Sequence, residues 1–251
     1  MLSNITGDKL TLHWLDHSRS QRILWLLELL GLNYELETYF RDKNYRAPKE
    51  LKDVHPSGKS PILVIAPEDG LEEITLAESG NIIQYVVEKY DTKGILTPES
   101  DYYKRQVNYF LHYSEGTLQP LLVSLLVNFV ARSAAPFGAR YLTKLVTKGI
   151  NDGYYTPELK QNLQYLDDLL QKQGTEYFAG NKITAADIIL SFPISENLFS
   201  NKDAHDRFGG DLLKYTYLSK WSEKINNDPV YKKITEQMRS KSKKPKETSN
   251  L

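Results

Sequence analysis

The chain has no cysteine in its 251 residues. Disulfides, thiolate zinc sites, iron–sulfur clusters and attack by an enzyme thiol are excluded with it. An excess of one charge is missing too, since 32 Lys and Arg face 32 Asp and Glu. A nucleic-acid partner is therefore not expected, because a polyanion is gripped through a basic surface. The stretch Met1–Asp8 lacks the basic-then-apolar order of a secretory signal and reads as a short disordered lead, so Asn4-Ile5-Thr6 has no secretory context for glycosylation. No long apolar run occurs: the most apolar window, Leu121–Ala131, carries Ser124 and Asn128 and covers about half of the ~20 residues a spanning helix needs. Ser249-Asn250-Leu251 comes close to the peroxisomal tripeptide without matching it. No segment repeats at a fixed period.

Against these absences, 40% of the residues are hydrophobic and 11% aromatic, enough for a sizeable core in one large or two small domains. Lys9–Trp14 reads as a strand ending at Asp16-His17-Ser18, where a helix should begin. Ile23 to Leu30 then form an almost wholly apolar helix, stopped by Gly31. Tyr34, Leu36 and Thr38 alternate with charged neighbours as a second strand, which completes a parallel βαβ unit. After the turn-rich segment His55–Pro61, Ile62–Ile65 and Glu72–Leu76 read as a hairpin across Asp69-Gly70. Glu78-Ser79-Gly80 opens a helix carrying Ile82, Ile83, Val86 and Val87. This order, βαβ followed by ββα, is the thioredoxin-like arrangement.

From Pro98 onward strand patterns disappear, so residues 8–92 are expected to form an α/β thioredoxin-like domain and 99–238 an all-helical one. A helix is predicted over Asp101–Ala131 with Pro120 kinking it, and another from Pro157 to about Gln173. Thr184-Ala185-Ala186-Asp187 has capping-box spacing before a central apolar helix. The segment Arg132–Gly153 is irregular, and the basic stretch 239–251 reads as a disordered tail.

Three places could carry chemistry. Ser18, where the first strand meets the first helix, either caps that helix or points at a ligand on the sheet edge. It lacks the Gly-x-Ser-x-Gly elbow of a hydrolase nucleophile. Ser60-Pro61 joins a loop to a strand; a trans bond is the ordinary form there, whereas a cis turn would offer the Ser60 backbone to an extended ligand. Glu78 and Ser79 either cap a helix or hold an amino-acid headgroup, with the carboxylate facing an ammonium and the helix start facing a carboxylate.

Taken in order, Ser18-Arg19-Ser20-Gln21-Arg22-Ile23-Leu24-Trp25-Leu26-Leu27-Glu28, Gly58-Lys59-Ser60-Pro61, Ala77-Glu78-Ser79-Gly80 and Gly180-Asn181-Lys182-Ile183-Thr184-Ala185-Ala186-Asp187 resemble the cytosolic glutathione S-transferases over residues 8–240. Within that superfamily the chain looks closest to a serine-type fungal and bacterial group with the Ser-Arg-Ser-Gln-Arg string.

The resemblance implies conjugation of glutathione, as co-substrate without any prosthetic group or metal, to small hydrophobic electrophiles in detoxification. Peroxidase activity toward organic hydroperoxides is implied beside it. Ser18 inherits the role of thiol activator with Arg19 beside it, Ser60 before Pro61 that of pairing with the cysteinyl backbone, Lys59 that of reaching the glycyl carboxylate, and Glu78 and Ser79 that of the γ-glutamyl clamp. Leu15, Tyr109 and Tyr113 match the electrophile pocket, and the two tyrosines fit core or interface positions equally well. Thr184 and Asp187 match the family's structural capping box. A cytoplasmic homodimer is expected, with a peripheral form at the endoplasmic reticulum as in fungal relatives. The alternative within the same superfamily is a non-catalytic glutathione-binding or regulatory module.

Overall fold

The computed structural model describes residues 7–42, 45–201, 204, 208 and 210–242. The described chain divides into two compact units, one running to Ile95 and resuming at Asn226, the other Leu96–Ile225.

In the first unit, β1 (Lys9–Leu15), β2 (Tyr34–Tyr39), β3 (Ile62–Ala66) and β4 (Ile74–Ala77) form one sheet in the order β2-β1-β3-β4. β1 and β2 are parallel, and β3 is antiparallel to both β1 and β4. The parallel pair needs a crossover, supplied by α1 (Ser20–Leu29), whose residues Ile23 to Leu27 are all buried. Gly31 ends α1 with φ 65°: its N–H reaches the Glu28 carbonyl at 3.1 Å and the Leu32 N–H that of Leu27 at 3.0 Å. That left-handed turn suits glycine. α2 (Leu51–Val54) lies in the β2–β3 connection, and α3 (Ser79–Tyr90) follows β4 directly.

The second unit is helical: α4 (Asp101–Tyr113), α5 (Gln119–Ala134), α6 (Arg140–Ile150), α7 (Thr156–Gln173), α8 (Ala185–Leu190) and most of α9 (Thr216–Asn227). A thioredoxin-like sheet with a separate helical bundle is thus the fold. α8 is buried along its whole length. Thr184 Oγ1 accepts the Ala186 N–H at 3.3 Å, and the buried Asp187 accepts the Thr184 N–H at 2.9 Å, the Phe178 N–H at 3.1 Å and the Trp221 indole N–H at 2.9 Å. The capping box therefore also ties α8 to α9.

Four expectations change. Residues 101–134 are helical throughout, with a wide π turn at Ser114–Leu118 between α4 and α5. Gln119 N–H there bonds back five residues to Ser114, and this wide turn takes Pro120 at the start of α5, where its missing N–H costs little. Within the stretch read as irregular, Arg140–Ile150 is a regular helix, α6. The final helix α10 (Pro229–Ser242), read with the helical domain, belongs to the first unit and packs on α1. Trp25 donates its indole N–H to Asp228 Oδ1 at 3.1 Å, and Gln21 donates to Thr235 Oγ1 at 3.1 Å. Fourth, Arg239–Ser242 is helical; the rest of the expected tail, 243–251, lies outside the described residues.

Candidate glutathione site

The sheet register brings the three sequence motifs to one end of the first unit. His13 pairs with Ile62, and Ile62 pairs with Ala77. Ser18 follows the end of β1, Ser60-Pro61 precede the start of β3, and Glu78 follows the end of β4. Because β3 runs antiparallel to both neighbours, all three places lie at the same edge. Two strand spacings separate the β1 end from the β4 end, about 10 Å. A tripeptide extended at about 3.5 Å per residue has the same length.

Ser18 is 7% exposed and sits in the turn between β1 and α1. Its Oγ donates to the Leu15 carbonyl at 2.8 Å, lies 2.5 Å from Ser20 Oγ, and accepts the Ser20 N–H at 3.2 Å. The helix starts two residues later than the sequence suggests. Arg19 takes the cap position and makes no side-chain cap bond. Ser18 thus stands just ahead of the positive end of a ten-residue helix. His17, beside it, has φ 47° and is exposed.

The Ser60–Pro61 bond is cis. Ser60 Oγ donates to the His13 carbonyl at 2.7 Å and lies within hydrogen-bond distance, 3.1 Å, of Ser20 Oγ. Lys59 beside it is exposed. Glu78 is exposed at the start of α3 with φ 68° and no side-chain cap bond, while Ser79 is buried. A non-glycine residue held in the left-handed region costs about 1–3 kcal/mol, a strain that concentrates at ligand clamps. Here it sets a free carboxylate beside the first N–H groups of a twelve-residue helix, an arrangement that takes an ammonium and a carboxylate together.

Three further residues support these positions. Ser20, fully buried, links Ser18 to Ser60. Arg41 braces the Ser18 turn: its N–H reaches Asp16 Oδ1 at 2.8 Å, Nε the Asp16 carbonyl at 3.1 Å and an η nitrogen the His17 carbonyl at 3.3 Å. His13 hydrogen-bonds Tyr39 through Nδ1 at 2.9 Å, and burial holds its pKa below the usual imidazole value against the opposing pull of Glu37 and Glu73. Such long-range pairs follow no local period. Only the serine-rich string hinted at one of them.

Of the electrophile-pocket candidates, Leu15 belongs to the first unit and Tyr109 and Tyr113 to the second. The Leu15 side chain is buried against Leu51 and Ile62. Tyr113 is buried in the second unit, donates to Asn162 Oδ1 at 2.6 Å and stacks on Tyr109 with centroids 5.4 Å apart. Burial drives its pKa up. Tyr109 is part-exposed and lines an open cavity of about 300 Å³ with Tyr102, Arg105, Gln106 and Tyr165. Among the described residues no cluster of His, Asp and Glu is suited to a metal.

Comparison with known proteins identifies the family and the fold. Residues 18–89 match the family model "Glutathione S-transferase, N-terminal domain" and residues 140–237 match "Glutathione S-transferase, C-terminal domain". Glutathione S-transferase 1 of Saccharomyces cerevisiae is 38% identical over 91% of this chain and 94% of its own length. A glutathione S-transferase structure from Actinobacillus pleuropneumoniae superposes with TM-score 0.67 at 30% identity, covering 92% of this chain and 93% of that one. A homologue from Lodderomyces elongisporus, solved with two glutathione molecules per subunit, superposes with TM-score 0.69 at 20% identity, covering 91% of this chain and 98% of that one.

Proposed function

The chain belongs to the glutathione S-transferase family and is a glutathione transferase enzyme, and from that premise we propose that it is a serine-type member in which Ser18 activates the glutathione thiol. The observation that carries this reading is the near-buried Ser18 hydroxyl, placed where β1 meets the N-terminus of α1 and level with Ser60 and Glu78 along one sheet end. The bound tripeptide runs across the strand ends. Its cysteinyl backbone pairs with Ser60, its γ-glutamyl ammonium meets Glu78, and its γ-glutamyl carboxylate meets Ser79 and the start of α3. Lys59 reaches the glycyl carboxylate, and Arg19 adds positive charge near the sulfur.

A free thiol with a pKa near 8.5 is mostly protonated at neutral pH, and lowering it by about two units takes only about 2.7 kcal/mol of preferential thiolate stabilisation. One hydroxyl hydrogen bond to a charged sulfur, about 1.5–3 kcal/mol, and a helix N-terminus, about 0.3–1 kcal/mol, reach that sum. The thiol proton leaves to solvent. The thiolate then forms a bond to the electrophilic carbon of a small hydrophobic substrate as the leaving group departs with its electron pair. With an organic hydroperoxide the same thiolate takes the terminal oxygen and releases an alcohol; a second glutathione then gives the disulfide and water. The enzyme acts as a cytoplasmic homodimer. Conjugation of an aryl halide by Ser18→Ala tests the assignment: about 10- to 100-fold loss of kcat/KM is expected from one lost charge-assisted bond, and wild-type turnover would refute it.

A peripheral contact with lipid is supported by the α5–α6 pair, whose polarity is reversed. Between the helices Arg132 Nε donates to Thr147 Oγ1 at 2.7 Å, and the Asn128 and Asn151 amides bond at 2.6 Å. Facing outward are Val127, Val130, Leu142 and Val146, with Phe137 91% exposed. Polar contacts inside and apolar groups outside suit a lipid surface. From Gly116 to Asn151 there are also four cations, Arg132, Arg140, Lys144 and Lys148, and no carboxylate, which favours anionic lipid. The protein should float with phosphatidylserine vesicles, and Val127→Asp with Leu142→Asp should stay behind; a wild-type protein left in the soluble fraction would remove this reading.

A further inference from the structure

Three hydroxyls converge at the end of β1, and each has one proton to give. Ser60 gives its proton to the His13 carbonyl at 2.7 Å. Ser18 gives its own to the Leu15 carbonyl at 2.8 Å. In that arrangement the Ser18 oxygen offers an incoming thiolate only lone pairs, which repel it. Donation to sulfur requires the Ser18 proton to turn away from Leu15. The carbonyl left behind is buried backbone, and leaving such a group without a donor is costly.

Ser20 can relieve that cost. Its Oγ lies 3.2 Å from the Leu15 carbonyl and 2.5 Å from Ser18 Oγ, so its proton can serve either oxygen without moving the side chain. It accepts the Leu15 N–H at 3.1 Å in both states. Being fully buried, Ser20 has no direct approach to glutathione. We propose that Ser20 is the positioning residue of the thiol-activating site: by taking over the Leu15 carbonyl it frees the Ser18 proton for the glutathione sulfur. This rests on the assignment of Ser18 as activator. It accounts for a second serine in the Ser18-Arg19-Ser20 string, because a hydroxyl on the first helical residue can reach both the preceding strand's last carbonyl and the activating oxygen.

The test is the pH profile of kcat/KM for an aryl halide at saturating glutathione, which reports the bound thiol, measured for the whole protein as wild type, Ser18→Ala, Ser20→Ala, Ser20→Gly and Ser20→Thr. Without the Ser20 hydroxyl the Ser18 proton stays on Leu15, so the acidic limb of both hydroxyl-free variants should move up by about one pH unit, about a fivefold loss at pH 6.5. Their rates should rejoin wild type at high pH, where the thiol ionises unaided. Ser20→Thr keeps the hydroxyl and should keep the wild-type limb. A uniform loss at every pH would make Ser20 merely structural and overturn the proposal. A shifted limb in Ser18→Ala together with an unshifted one in the hydroxyl-free Ser20 variants would overturn it while leaving Ser18 in place. An unshifted limb in Ser18→Ala would overturn the Ser18 assignment itself. Ser20→Gly supplies the readout if Ser20→Ala does not fold.

Discussion

Replacing Tyr231 with alanine should damage the glutathione-binding unit although the residue lies more than two hundred positions from Ser18 in sequence. Tyr231 is 4% exposed on α10 and meets the Trp25 ring edge-on, with centroids 5.0 Å apart. Trp25 is a central residue of α1, and its indole bonds to Asp228, which also accepts the Tyr231 N–H at 2.8 Å. One turn away, Gln21 joins Trp14 of β1 to Thr235 of α10. Truncating a buried aromatic side chain costs about 3–5 kcal/mol. At about 2–4 °C per kcal/mol for a chain of this size, the melting temperature should fall by about 6–20 °C. A double-mutant cycle with Trp25→Leu should return a coupling of about 0.5–1.5 kcal/mol, the range for an edge-to-face pair. Thermal unfolding followed by circular dichroism gives both numbers. A fall below about 2 °C, or a coupling of zero, would refute the placement of α10 against α1.

Glu78→Gln removes a charge from an exposed residue while leaving the backbone and α3 intact, so KM for glutathione should rise by about tenfold with kcat within a factor of two; an unchanged KM would remove Glu78 from the clamp. The lowered pKa of His13 also has a signed consequence. Above pH 6.5 the imidazole is neutral in both states; below it the unfolded chain takes a proton that the folded one refuses, so stability falls by at most about 1.4 kcal/mol per pH unit down to the folded-state pKa. His13→Gln should flatten that limb in denaturant titrations between pH 6.5 and 5, and an unchanged slope would assign it to other groups.

What was legible in the sequence is what local physics writes there. Period-two alternation marked β2, the unbroken apolar run from Ile23 marked a buried crossover helix, and the Thr184–Asp187 spacing marked a cap that the structure forms. The same motifs located Ser18, Ser60 and Glu78 at element boundaries, but their alignment depends on strand order, and strand order is a long-range property. The docking of α10 was illegible for a related reason: its amphipathic pattern requires a partner without saying which one. Asp228, Tyr231 and Thr235 find theirs some two hundred residues upstream. The burial of the Leu15 side chain against Leu51 and Ile62 is likewise fixed by packing between elements and not by local sequence.

The most direct test of thiol activation at Ser18 is an ultraviolet titration of the wild-type protein with saturating glutathione across pH, in which thiolate absorption reports the bound thiol's pKa. The account predicts saturable absorption with that pKa about two units below the free value. Saturable binding with the pKa still near the free value would contradict it, leaving Ser18 as a structural hydroxyl of the β1–α1 turn.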